Sequence, residues 1–299
     1  MSGDLAFGIE LAGQGIANGL MYSLVALGFV LIYKATDAIN FAQGEFVMIA
    51  GIVISALAGA AYEFPLWLAL FAGLVFMVVF NIGLERVVLR PLIGRPIVSI
   101  IMATIGLAFI LRGFGPMVFG SAPRPINLPI PDVPIIFGPF FFTPIQLVGA
   151  GISVAFLLGF GWFFLKTRWG VAMRAVADSH QVSSAMGINV ERYFALAWVM
   201  AGVVAMLGGV LWGSMSGVDT QLALVGLKVF PVVILGGLDS IIGVVVGGVI
   251  VGLSEALASG FIDPYVGGGT KDFTPYVLMI IMLMIRPYGL FGRKLIERI

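Results

Sequence analysis

RAVADSHQVSSAMGINVERY, residues 174–193, is a polar, small-residue stretch inside a chain of 299 residues that is 60% hydrophobic and 10% charged. An ordinary soluble domain carries roughly 25% charged residues. On both sides of the stretch the sequence runs apolar for about 18 to 25 residues at a time, enough for a helix to cross the hydrocarbon core of a bilayer. The stretch is therefore a connection between spans, and its polarity needs its own explanation.

Mean hydropathy is +1.11. The chain reads as an all-α, polytopic helical membrane protein, since no period-two alternation supports a transmembrane β-barrel. The 41 glycines are about twice the usual share of roughly 7%, which in a membrane points to close helix packing or broken helices. The first 33 residues hold no Lys or Arg, so the first apolar run is expected to be kept as a span rather than removed as a signal peptide. Zero cysteines exclude disulfides, thiolate ligands and iron–sulfur sites. A formal charge of +1 gives no footing for nucleic acid.

Apolar segments are expected at 11–33, 41–60, 65–85, 97–118, 144–165, 193–213, 222–237, 241–259 and 274–290. This gives about 8–9 spans, because the seventh is short, carries Lys228 and Pro231, and reads as broken or re-entrant. Placing Lys34, Arg86, Arg90, Arg95, Lys166, Arg168, Arg174, Arg192, Arg286, Arg293, Lys294 and Arg298 on one side collects 12 of the 16 Lys and Arg. The positive-inside rule makes that side cytoplasmic, with the N-terminus outside and the C-terminus inside. Asp4, Glu10, Glu63, Asp132, Asp219, Asp263 and Asp272 fall on the outer side, and Arg112 near it. The expected organisation is one transmembrane domain over 1–299, with a cytoplasmic segment at 166–192 and an outer loop at 119–143. That loop, rich in Pro and apolar residues, suits either a structural cap or a surface for an outer partner.

Read as one helix, the opening stretch puts Ala172, Ala175, Val176, Ser179, Val182, Ser183 and Met186 on one small, flat face. Gly187 stands where a left-handed C-cap is wanted, and Asn189 with Glu191 opens the next helix. Helices that lie on lipid bury bulky Leu, Phe or Trp, which this face lacks. A structural connector and a helix that docks into a partner's groove both remain open. His180 is expected to be solvated.

The segment ADSHQVSSAMGIN resembles the cytoplasmic coupling segment of ABC-importer permeases, and the surrounding chain is similar to the LivH branch of the branched-chain amino acid permeases. The resemblance runs through NGLMYSLVALGFVLIYKATDAINFAQGEFVMIAG (18–51), the spacing Ile82, Glu85, Arg86, Arg90 and Pro91, RWGVAMRAVADSHQVSSAMGIN (168–189), KVFPVVILGGLDSIIGVVVGGVIVGLSEAL (228–257) and RPYGLFGR (286–293). The departure falls at His180 to Ser184. The resemblance implies the ABC-importer permease fold in a bacterial inner membrane. It also implies a second related permease chain, as heterodimer or homodimer, and two cytoplasmic ATPases that hold ATP and Mg. A periplasmic substrate-binding protein would deliver branched-chain or other hydrophobic amino acids. By the same resemblance Arg174, Ala177, Asp178, Ala185, Met186, Gly187 and Ile188 carry the coupling contact. Relatives of the same fold group carry urea, short amides or aromatic acids.

The chain has no phosphate loop of its own; GGGTKD (267–272) has the wrong spacing, so no enzymatic activity and no cofactor are expected in this chain. No His, Cys or carboxylate cluster resembles a metal site. Polar residues fall inside apolar runs at Asn40, Gln43, Glu45, Lys228 and Glu255, where an ionisable group costs about 2.5–3.5 kcal/mol at a helix centre and must face protein or water. Each fits either a translocation path or gate, or an interhelical bond. Asn40, Gln43 and Glu45 are placed near the cytoplasmic end, Lys228 with Pro231 on a path-lining broken helix, and Lys228 is paired with Glu255 or Glu45. A self-sufficient secondary transporter or channel is the rival class; an intramembrane enzyme lacks a convergent nucleophile and base.

Overall fold

The computed structural model describes residues 3–59, 62–120, 122–131, 133–137 and 140–292. Arg293, Lys294 and Arg298, counted above as cytoplasmic, and Asp132 lie outside the described residues. In order, the helices are α1 (Gly3–Thr36), α2 (Gln43–Ala58), α3 (Leu66–Leu84), α4 (Ile97–Phe119), α5 (Pro144–Lys166), α6 (Arg168–Asp178), α7 (His180–Ala185), α8 (Val190–Ser216), α9 (Leu224–Gly236), α10 (Ile241–Phe261), α11 (Asp263–Val266) and α12 (Thr270–Ile285). Six are long and apolar enough to cross a membrane by length and composition: Leu5–Thr36, Leu66–Leu92, Ile97–Phe119, Pro144–Lys166, Val190–Ser216 and Ile241–Phe261. Gln43–Ala58 and Thr220–Gly236 are shorter apolar helices.

The 119–143 loop adds what apolar periodicity does not predict, a hairpin of β1 (Ile135–Phe137) and β2 (Phe140–Phe142), antiparallel with Ile136 opposite Phe141. Runs of Ile and Phe interrupted by Pro and Gly favour extended backbone over helix.

The chain divides into two compact units. One comprises Leu27–Leu128 and Leu158–Leu227, and its centre is α2, buried from Gln43 through Ala56 and packed by α3, α4 and α8. Lipid is as apolar as leucine, so helices inside it associate through tight packing and not through the expulsion of water. Gly209 on α8 supplies such packing: a Cβ there would stand 2.6 Å from the Val47 carbonyl oxygen and 2.9 Å from the Gly51 nitrogen of α2. α3 does not end cleanly but widens into a π-helical turn over Glu85–Leu89, closed by the Arg90 amide on the Glu85 carbonyl.

The other unit comprises Met1–Ala26, Pro129–Leu157 and Lys228–Ile299. Here the glycine spacing of α10 meets α1: a Cβ on Gly252 would lie 2.6 Å from the Gly19 nitrogen, and one on Gly15 would lie 2.7 Å from the Gly252 carbonyl oxygen. Ser23 closes the same seam by donating to the carbonyls of Gly19 (2.8 Å) and Val244 (3.1 Å). The close helix packing expected from the glycine content is thus present on α8 and α10. α9 runs through Pro231 as continuous helix after a 3₁₀ turn at Thr220–Ala223, so the expected break does not occur at that proline.

Candidate functional site

The polar stretch is built from three capped pieces, not one helix. Thr167 accepts from the Gly170 amide and opens α6; Ser179, with extended backbone at φ −162 and ψ 113, accepts from the Val182 amide and opens α7. A side-chain cap of this kind is worth about 1 kcal/mol, enough to turn the chain at Ser179. Gly187 takes φ +80 and Asn189 accepts from the Arg192 amide at 3.1 Å, both in the roles their sequence positions predict.

The break changes which face is buried. Met173, Val176 and Ser183 are buried, whereas Val182 and Met186, one helical turn apart, are 62% and 77% exposed. Ala185 and Gly187 beside them are exposed, and Ile188 is half-buried. Arg174 turns inward: it donates to the Phe164 carbonyl and lies over the Phe164 ring at 5.4 Å, tying the segment to the end of α5. Ala177 is half-buried and Asp178 exposed. His180 is not simply solvated. Its Nε2 lies 3.1 Å from the Ala35 carbonyl and its ring packs edge-on against Phe194 at 5.1 Å, because the turn at Ser179 directs it back toward the end of α1.

Asn40, Gln43 and Glu45 lie at the entry to α2, which packs on α4 and α8. The Phe41 amide donates to Thr104 Oγ1 at 3.3 Å and Glu45 meets Arg112 at 2.6 Å, so they stand level with the middle of α4. Arg112 is 15 residues, about 22 Å of helix, from Ile97. An irregular stretch, Asp37–Ala42, joins α1 to α2. Such backbone is tolerated at depth only against protein or water. Asn40 Oδ1 accepts from the Ala42 amide at 3.1 Å and Gln43 Nε2 donates to the Ala201 carbonyl at 3.3 Å, while Asn40 Nδ2 and Gln43 Oε1 are buried without a partner among the described residues.

In the other unit Lys228 Nζ pairs with Asp272 at 2.6 Å, and Glu255 accepts from the Tyr22 hydroxyl at 2.9 Å. These contacts replace the expected pairing of Lys228 with Glu255 or Glu45. The three true partners, Arg112, Tyr22 and Asp272, carry no signal in the sequence, where each lies 44 or more residues from its mate. The Lys228 and Asp272 side chains remain 31% and 60% exposed. At the end of α10, Asp263 accepts from the Thr270 hydroxyl (2.5 Å), the Thr270 amide (2.9 Å) and Ser259 (3.0 Å). The Thr270 hydroxyl bond foremost, then its amide bond, holds the Asp263 carboxyl below the usual range. Among the described residues no group of three or more His, Cys, Asp or Glu could hold a metal ion.

Fold and site define a multi-pass helical membrane protein whose polar inter-span segment leaves two apolar side chains uncovered. Residues 11–285 match the family model described as "Branched-chain amino acid transport system / permease component", and the chain belongs to that family. It is 29% identical to the high-affinity branched-chain amino acid transport system permease protein LivH of Escherichia coli K12, over 100% of both chains. It is 32% identical to the corresponding protein BraD of Pseudomonas aeruginosa over 96% of each. A probable branched-chain amino acid transport permease LivH of Methanocaldococcus jannaschii is 30% identical over 97% of this chain and 94% of that one.

Proposed function

We propose that the chain is the passage-forming subunit of an ATP-driven importer of branched-chain or similar aliphatic amino acids, set in a bacterial inner membrane with its N-terminus outside and its C-terminus in the cytoplasm. The observation that carries the reading is the uncovered pair Val182 and Met186 on a short segment whose opposite face is buried. A rigid, capped segment presenting two apolar residues at i and i+4 suits insertion into a groove of a partner. Arg174, Ala177, Asp178, Ala185, Met186, Gly187 and Ile188 then form or orient the contact within the 166–192 segment. The partner is an ATPase pair that holds the ATP and Mg, since hydrolysis must be supplied from outside this chain.

Passage is assigned to the polar residues at depth, in a bundle of eight to nine spans that counts the shorter helices. Lys228, within the apolar α9, forms an exposed ion pair with Asp272 in the first turn of α12, and an ionisable group inside an apolar run faces water or protein. We place the water-filled path along that face, with Pro231 and Glu255 on the same unit. Asn40, Gln43 and Glu45 act as a gate support where the irregular Asp37–Ala42 stretch meets α2. A second related permease chain completes the path, a periplasmic binding protein delivers the cargo, and the 119–143 loop caps the outer face.

The test is uptake of radiolabelled leucine by cells lacking this chain and by the same cells carrying it. Restored uptake that survives a protonophore and stops when ATP is depleted supports the reading. ATP-independent uptake in vesicles that contain this chain alone contradicts it.

A further inference from the structure

A cavity of about 200 Å³ opens at the end of the Leu27–Leu128 and Leu158–Leu227 unit that carries the polar segment. Drug-sized sites run to roughly 300–1,000 Å³, so this one suits a smaller molecule. Its apolar wall is Leu89, Ile93, Ile97, Ile100 and Phe194. Its ionisable lining is Asp37, Glu85, Arg90, Arg95 and His180.

Those charges are not equivalent. Glu85 is buried and takes two bonds from Arg90, at 3.2 and 2.9 Å, and Arg90 also reaches Glu191 at 3.1 Å. Glu85 and Arg90 therefore neutralise each other. Asp37 and Arg95 are exposed, and neither makes an ion pair among the described residues. The site thus offers, among the described residues, a carboxylate that faces only the His180 ring and makes no ion pair, a guanidinium without an ion pair, and an aliphatic and aromatic wall. Its backbone is also specialised: Asp37 holds φ +54, a conformation uncommon outside glycine, and the π-helical turn Glu85–Leu89 forms part of the wall. Both features recur at functional sites.

We infer that this cavity is a binding site for a small zwitterion with an apolar side chain: an aliphatic α-amino acid with its carboxylate on Arg95 and its ammonium on Asp37. A guanidinium takes a carboxylate through two parallel bonds, and the Asp37 carboxylate in the same lining favours a zwitterion over a simple anion. The inference rests on the proposed cargo only for the choice of leucine as probe. Because His180 lines the cavity, an occupant touches the polar segment itself.

The experiment is calorimetric titration of the full chain, purified in lipid nanodiscs, with L-leucine, with isovalerate, which lacks the ammonium, and with isoamylamine, which lacks the carboxylate. Saturable leucine binding is expected, weakened at least about tenfold for either analogue. Arg95→Gln and Asp37→Asn should each weaken leucine by a similar factor, a loss of about 1.4 kcal/mol. Both positions are exposed, and asparagine tolerates a positive φ, so the fold is kept. Gly106→Ala, at a position where a methyl group meets nothing within 4 Å and to which no binding role is assigned, should leave the leucine isotherm unchanged. Equal affinity for isovalerate, leucine binding untouched by both cavity variants, or no leucine binding would each overturn the inference. None of these outcomes bears on ATP-dependent uptake, which is measured separately.

Discussion

Nη2 of Arg112, two-thirds of the way along α4, lies 2.6 Å from Oε1 of Glu45 in the first turn of α2. Glu45 is buried, and the pair fixes α2 where the chain has just left the irregular Asp37–Ala42 stretch. A carboxylate at that depth is tolerable only because the guanidinium reaches it. The same logic holds for the other deep polar groups, and it sets the first expected outcome.

Glu45→Ala leaves Arg112 without its carboxylate. Removing one member of a fully buried pair costs about 3–5 kcal/mol; Arg112 is 38% exposed, so the loss should fall below that range. Glu45→Leu with Arg112→Met should recover most of it. Denaturant unfolding of the purified protein in mixed micelles gives both values, and an additive loss in the double variant would show that the two residues are not coupled.

Gly209→Val should destabilise by about 1–3 kcal/mol, the usual range for overpacking. The obstacle is backbone of α2 at 2.6 and 2.9 Å, which cannot rotate away as a side chain would. Gly106, where a methyl group would meet nothing within 4 Å, should accept Ala with little change in the same assay.

The exposed Lys228–Asp272 pair predicts chemical access. The chain contains no cysteine, so Lys228→Cys creates a single thiol. It should react with a membrane-impermeant thiol reagent, whereas Val244→Cys, at a fully buried position on α10, should not. An unreactive Lys228→Cys would place that face against lipid or protein.

The Asp263 carboxyl titrates below its ordinary value of 3.8 because Thr270 and Ser259 donate to it. A folded value below the unfolded one stabilises the 263–270 corner above that ordinary value and loses the contribution as pH falls through the folded value. Protection of the Thr270 amide from hydrogen exchange, corrected for intrinsic rate, should therefore hold at neutral pH and fall below about pH 3.8. In Asp263→Asn it should be lower at neutral pH and flat across that window.

Apolar run length makes the helices legible: α3 spans Leu66–Leu84 against an expected 65–85, and α10 spans Ile241–Phe261 against an expected 241–259. Gly187 and Asn189 are readable as caps because their roles depend on neighbours one to three residues away. Ser179 is not, since capping or continuing a helix differs by about 1 kcal/mol and tertiary contacts decide it. The pairings of Tyr22 with Glu255, 233 residues apart, and Arg112 with Glu45, 67 apart, leave no trace in local spacing. The irregular Asp37–Ala42 stretch that sets Glu45 beside Arg112 is hidden for a related reason: nothing in the sequence marks it between two apolar runs.

The central claim is that the segment around Val182 and Met186 docks an ATPase. The direct measurement is affinity capture of the tagged full chain from mild detergent, with mass spectrometry of the chains that come with it. Wild type is compared with Val182→Asp plus Met186→Asp, substitutions at exposed positions that leave the buried Met173, Val176 and Ser183 and the Gly187 cap in place. Recovery of an ATPase with the wild type and its loss from the variant is the predicted result. Equal recovery from both, or no ATPase from either, would contradict the claim.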